Sequence, residues 1–126
     1  MRNTVFCFLG AVLIVLSLSN EAHSQSERWL YLGETENVKI YVDTETIYYN
    51  EVLNAHKVYT RTQHSDNSYQ IHLQYYFCNS RTMKSLSFYS YNESGTLFDD
   101  TEYSISFEVD IIPESNPEKV FNYLCK

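Results

Sequence analysis

Three histidines, His56, His64 and His72, recur at intervals of eight residues. Imidazole ligates zinc and copper, but such ions need three or four convergent donors. In the strand pairing set out below, His56 faces Phe77 while His72 faces Arg61 and Tyr89. That separates the rings, and no metal site is expected. Asp99-Asp100-Thr101-Glu102 offers carboxylates for calcium, yet lacks the glycine turn and oxygen spacing of a calcium loop. A solvated edge is the expectation there. A nucleophile needs a base and an orienting group beside it, and the serines here lie on strands or in polar turns without a glycine elbow. The chain is therefore read as having no catalysis and no cofactor. What remains is cysteine chemistry: Cys7 lies within an apolar leader, which leaves Cys78 and Cys125 as the two cysteines of the folded body.

The leader decides the redox setting. Arg2 gives a short positive start, Val5 to Leu18 is largely apolar, and Ala22-His23-Ser24 places small residues where a signal peptidase needs them. Residues 1–24 are read as a signal peptide, and 25–126 as one exported domain. The apolar run is shorter than the ~20 residues of a spanning helix. No lipobox cysteine follows it, so neither a membrane span nor a diacyl anchor is expected in the mature chain. Export means an oxidising compartment, where two cysteines are expected to pair. A Cys78–Cys125 bridge closes a loop of 47 residues, worth about 4 kcal/mol by chain entropy. The formal net charge of −7 and the absence of a basic run argue against nucleic acid and anionic membranes as partners. Twelve tyrosines and seven phenylalanines against three glycines describe a folded, strand-rich body.

The elements that position these residues are legible from alternation. Tyr69 to Cys78 has apolar or aromatic side chains at its odd positions and turn signals at both ends, the pattern of a central strand. Strands are also expected at 29–32, 38–43, 52–63 and 83–91, with weaker ones at 96–99 and 105–111. A short C-terminal helix follows, with Asn116 as N-cap, Pro117 in its first position, and Val120, Phe121, Leu124 and Cys125 on one face. With four-residue turns at 65–68 and 79–82, Cys78 faces Ala55 and Tyr76 faces Lys57. One face then carries Val58, Ile71, Leu73, Tyr75, Phe77, Leu86 and Phe88. The other carries Cys78 and Tyr76, with Tyr59, Tyr89 and Tyr91 further out. These tyrosines either form a binding face or pack beneath the helix. A slip of one residue would exchange the faces.

Trp29-Leu-Tyr-Leu-Gly33, Ile40-Tyr-Val-Asp43, Phe77-Cys78 with Arg81, Tyr89 to Tyr91 before Gly95, and Ile112-Pro113 leading to Leu124-Cys125 occur in an order and spacing that resembles the surface-adhesin protein E family. The resemblance implies an antiparallel sheet with a C-terminal helix fastened across it by a disulfide, an α+β fold of about six strands. It also implies a bacterial envelope or surface protein that binds host matrix glycoproteins. The chain departs from the type in lacking a lipobox and a lysine-rich segment. The runner-up is a periplasmic structural or inhibitory module. A helix of three turns covers one face of a sheet only. The seven apolar side chains on the other face therefore require either a curled sheet or a homodimer, which the resemblance favours.

Overall fold

The computed structural model describes residues 28–126; the leader and its cleavage site lie outside the described residues. Eight strands form one antiparallel sheet: β1 (Trp29–Thr35), β2 (Val38–Asp43), β3 (Tyr48–Asn50), β4 (Ala55–Gln63), β5 (Tyr69–Phe77), β6 (Thr82–Tyr91), β7 (Leu97–Glu102) and β8 (Val109–Asp110). One helix, α1 (Asn116–Leu124), closes the chain. The strand order is β1-β2-β4-β5-β6-β7, with β3 paired to β4 and β8 to β6. Six strands thus make a continuous path, as expected, and two short ones extend it. Only Val109–Asp110 of the expected 105–111 strand pairs. The strand expected from Val52 begins at Ala55, because β3 turns into it through residues 51–54.

The hairpin turns set the register, and the expected β4–β5 register is wrong by one residue. Between β4 and β5 the turn spans His64 to Ser68, where the His64 N–H donates to the Ser68 carbonyl at 2.9 Å. Asn67 takes the left-handed conformation (φ 68°) that asparagine tolerates. The pairing is Gln63 with Tyr69 and His56 with Tyr76. Side chains alternate with period two, so this single extra turn residue moves every β4 side chain to the other face relative to β5. Between β5 and β6 the turn is 78–81, Phe77 pairs with Thr82, and the register shifts again opposite Leu73/Gln74, leaving Leu86 as the extra residue of a bulge.

The core lies between α1 and one sheet face. Ile40, Val42, Val58, Tyr76 and Met83 from the sheet meet Val120 and Phe121 from the helix, all buried, with Leu124 and Cys125 packed at the margin. The expected helical face is the one that docks. Its cap differs: Ser115, not Asn116, is the N-cap, its Oγ accepting from the Glu118 N–H at 3.3 Å. Asn116 instead donates through Nδ2 to the Val38 carbonyl at 3.1 Å, tying the helix start to β2. Gly33 lies beneath the helix, and a Cβ there would meet Lys119 Cε at 3.0 Å. That close approach lets Lys119 Nζ donate to Thr35 Oγ1 at 2.7 Å. Cys78 and Cys125 are bonded, with Cα atoms 5.5 Å apart, so the far end of the helix is fastened to the β5–β6 turn.

Candidate functional site

The corrected register redistributes the residues singled out from sequence. Tyr76 is 1% exposed in the core, and its Oη donates to Gln74 Oε1 at 2.9 Å. Thr60 Oγ1 donates to the same oxygen at 3.2 Å, so this polar group is satisfied beneath the helix. Burial raises the Tyr76 pKa well above its ordinary value. Such a side chain offers nothing to a partner, which corrects its placement on a binding face. Val58 is also in the core, and Phe88 lies beside His72 on the helix side, with ring centroids 6.0 Å apart. Neither belongs to the apolar face expected for dimerisation, because the turn and the bulge each exchange a face. Burial pushes the His72 pKa down. Its neighbours across the sheet are Thr60 and Phe88, while His56 pairs with Tyr76, one residue from the expected partners in each case.

The helix-free face receives the other residues. Tyr59 is opposite Leu73, Ile71 opposite Tyr89, and Tyr69 opposite Tyr91. Tyr75 and Phe77 continue the row, with centroids 6.2 Å apart. Tyr59, Tyr89 and Tyr91 therefore share a face with Ile71, Leu73, Tyr75 and Phe77, where the sequence had separated them. Tyr69 and Tyr91 stack at 4.8 Å with 12° between the ring planes, one of the arrangements aromatic quadrupoles favour.

Two residues missed from sequence complete this face. In the sequence, Trp29 reads as the start of a strand and of the family motif, and Arg61 as a neighbour of His72, with no binding role for either. Trp29 stands between two cavities. One, of about 260 Å³, is lined by Trp29, Tyr41, Arg61 and Gln63. The other, of about 280 Å³, includes Trp29, Asp43, Tyr59, Ile71, Tyr89 and Tyr91. The Arg61 guanidinium sits 3.9 Å from the Tyr69 ring centroid. The density of aromatic residues at 29, 31, 41, 59 and 69 was the available signal, and only the strand pairing brings them to one face.

Asp43 anchors the rim. Its side chain is 1% exposed and accepts from Arg28 Nη2 at 2.9 Å, Thr46 Oγ1 at 2.9 Å and the Glu45 N–H at 3.1 Å. Burial by itself raises its pKa, but the hydrogen bond from Arg28 and those from Thr46 and Glu45 outweigh it and leave the carboxyl below its usual range. A depressed folded pKa stabilises the protein above the unfolded pKa, and that contribution is lost as pH falls through the folded value. Asp43→Asn is expected to cost about 1–3 kcal/mol at neutral pH. In urea unfolding curves the difference from wild type should narrow once pH drops below about 4. A gap independent of pH would show that the carboxylate charge is not the stabilising feature.

A comparison with protein-family models places these features in a known group. The model described as surface-adhesin protein E matches residues 29–126. The chain belongs to that family, and it is an adhesin-like protein in that sense. No significant match was found among curated proteins or solved structures. No described helix is long and apolar enough to cross a membrane.

Proposed function

We propose that this chain is an exported surface adhesin that binds a protein partner through the helix-free face, with host matrix glycoproteins as the partner class. The observation that carries the reading is the half-exposed aromatic array on that face, Trp29, Tyr41, Tyr59, Tyr69, Tyr89 and Tyr91, beside two cavities. Tyrosine and tryptophan supply rigid contact area with a polar tip, and are enriched where interfaces draw their energy. The leader reading, residues 1–24 removed and 25–126 retained, supplies the export.

The test is capture of purified matrix glycoproteins by the disulfide-bonded chain, together with surface labelling of intact cells. Tyr59→Ala and Tyr91→Ala are each expected to weaken capture about tenfold, the scale of an interface hot spot. A chain that no surface label reaches, and that retains only envelope proteins, would instead be a periplasmic structural or inhibitory module.

Self-association is a second reading, favoured by Leu73, Tyr75 and Phe77 lying side by side at one end of this face. Leu73→Glu is expected to convert a sedimenting dimer into folded monomers. Wild-type protein that sediments as a monomer at high micromolar concentration ends that reading.

A further inference from the structure

The charges of this acidic protein are sorted by face. Strands β2, β4, β5 and β6 contain four bases, Lys39, Lys57, Arg61 and Lys84, and a single carboxylate, Asp43. The register puts all four bases on the helix-free face. Lys39 pairs with Gln63 opposite Tyr69, Tyr41 pairs with Arg61, and Lys57 and Lys84 flank Tyr75. Asp43 is already neutralised by Arg28. The other acids on this side lie at the rim: Glu34 opposite Lys39, Asp100 and Glu102 opposite Tyr89 and Ser87, and Asp110 opposite Thr82, whose hydroxyl donates to Glu108. A chain of net charge −7 thus presents a cationic, aromatic middle.

Arg61 is central to that pattern. Among the described residues it has no carboxylate within ion-pair distance. Its Nε is buried without a hydrogen-bond partner, and Nη2 reaches only Gln63 Oε1 at 3.5 Å. Stacking on Tyr69 holds the guanidinium plane, and apart from the long contact of Nη2 with Gln63 its donors have no partner among the described residues. A planar fork of this kind matches a carboxylate. Around it, Trp29 and Tyr41 provide flat apolar walls, and Gln63 an amide, in a space of about 260 Å³. That is a small volume for a ligand site, suited to one ring at a time.

We infer that the corner formed by Trp29, Tyr41, Arg61 and Gln63 binds a carboxylated sugar ring of an acidic glycan, the ring lying against the aromatic walls and its carboxylate meeting Arg61. The inference rests on the reading of the helix-free face as the binding surface, and narrows its ligand. Lys39, Lys57 and Lys84 extend the positive surface along which the rest of such a chain would lie. Single-stranded nucleic acid also favours aromatic, basic sheet faces. The carboxylate-shaped fork and the leader that directs export favour the glycan.

The disulfide-bonded chain is titrated with sialyllactose, a glucuronate disaccharide, neutral lactose and a short single-stranded oligonucleotide. Either acidic sugar is expected to bind at least about tenfold more tightly than lactose, the scale of a charge-assisted bidentate pair. Arg61→Gln removes that preference, Arg61→Lys keeps part of it, and Trp29→Ala weakens acidic and neutral sugars alike. Equal or absent binding of acidic and neutral sugars, tighter binding of the oligonucleotide, or an Arg61→Gln chain that still discriminates each overturns the inference. Capture of a matrix glycoprotein before and after enzymatic removal of its glycans separates this from the broader reading. Capture that survives stripping but is weakened by Tyr59→Ala keeps the face and rejects the sugar. Loss of capture on stripping supports both.

Discussion

Cys78→Ala is expected to lower stability by about 4 kcal/mol, the chain-entropy value for the 47-residue loop that the Cys78–Cys125 bond closes. The loss is not confined to the helix. Val120 is fully buried and Phe121 is 7% exposed, and both pack on the sheet residues Ile40, Val42, Val58 and Tyr76. A helix of nine residues has little stability of its own, so its attachment decides whether that core stays covered. Among the described residues, side-chain links remain after the bond is removed: Asn116 to Val38, Lys119 to Thr35, and Arg81 to both Glu118 and the Phe121 ring. The expected result is a lowered guanidinium midpoint. Amide exchange should rise first from Val120 to Cys125, and next in β1 and β2, the strands the helix packs against. Exchange that rises at the helix alone would show that the sheet holds without its cover. An unchanged midpoint would show that the bond contributes nothing.

The second large effect separates two neighbouring residues. Val58→Glu is expected to abolish folding, whereas Tyr59→Glu leaves a folded chain. Val58 is fully buried under α1, and an isolated charge there has no partner. The cost of several kcal/mol is comparable to the whole stability of a small domain. Tyr59 is half-exposed on the helix-free face, beside a cavity open to solvent. Circular dichroism and thermal unfolding of the two variants decide the matter. Equal tolerance of both, or the reverse order, would contradict the assigned pairing of β4 with β5.

Those two residues also show how far the sequence could be read. The strand at 69–77, its flanking hairpins, the docking face of the helix and the disulfide all follow from alternation, helical spacing and cysteine parity. These signals are local, or follow from the compartment that the leader reading expects. The face assignment was not local. It depended on whether the turn before Tyr69 holds four residues or five, and Asn67 in a left-handed conformation settles that with little trace in composition. Leu86 at the bulge did the same for β6, which is why Phe88 was assigned to the wrong side. Trp29, Tyr41 and Arg61 were each visible as residues. Their convergence needed the β1–β2–β4 pairing, because no two of them are close in the chain.

The order of strands bears on how the chain matures. Apart from the two short strands, each strand of the path pairs with its nearest neighbour in sequence, so the meander can assemble hairpin by hairpin with short loops to close. The helix is the exception. It follows β8 at one edge yet packs on β1 and β2 at the other, and its link from Asn116 to Val38 spans 78 residues. Closing so long a separation is paid for in entropy and rewarded only once a sheet surface exists to receive it. Oxidation is therefore expected to be the final step. In refolding from the reduced state, strand signal should appear while both thiols can still be alkylated, and the last thiols should vanish together with the gain of amide-exchange protection from Val120 to Cys125. A chain that matures in this order keeps Cys78 within reach of a disulfide-forming enzyme until its sheet is complete.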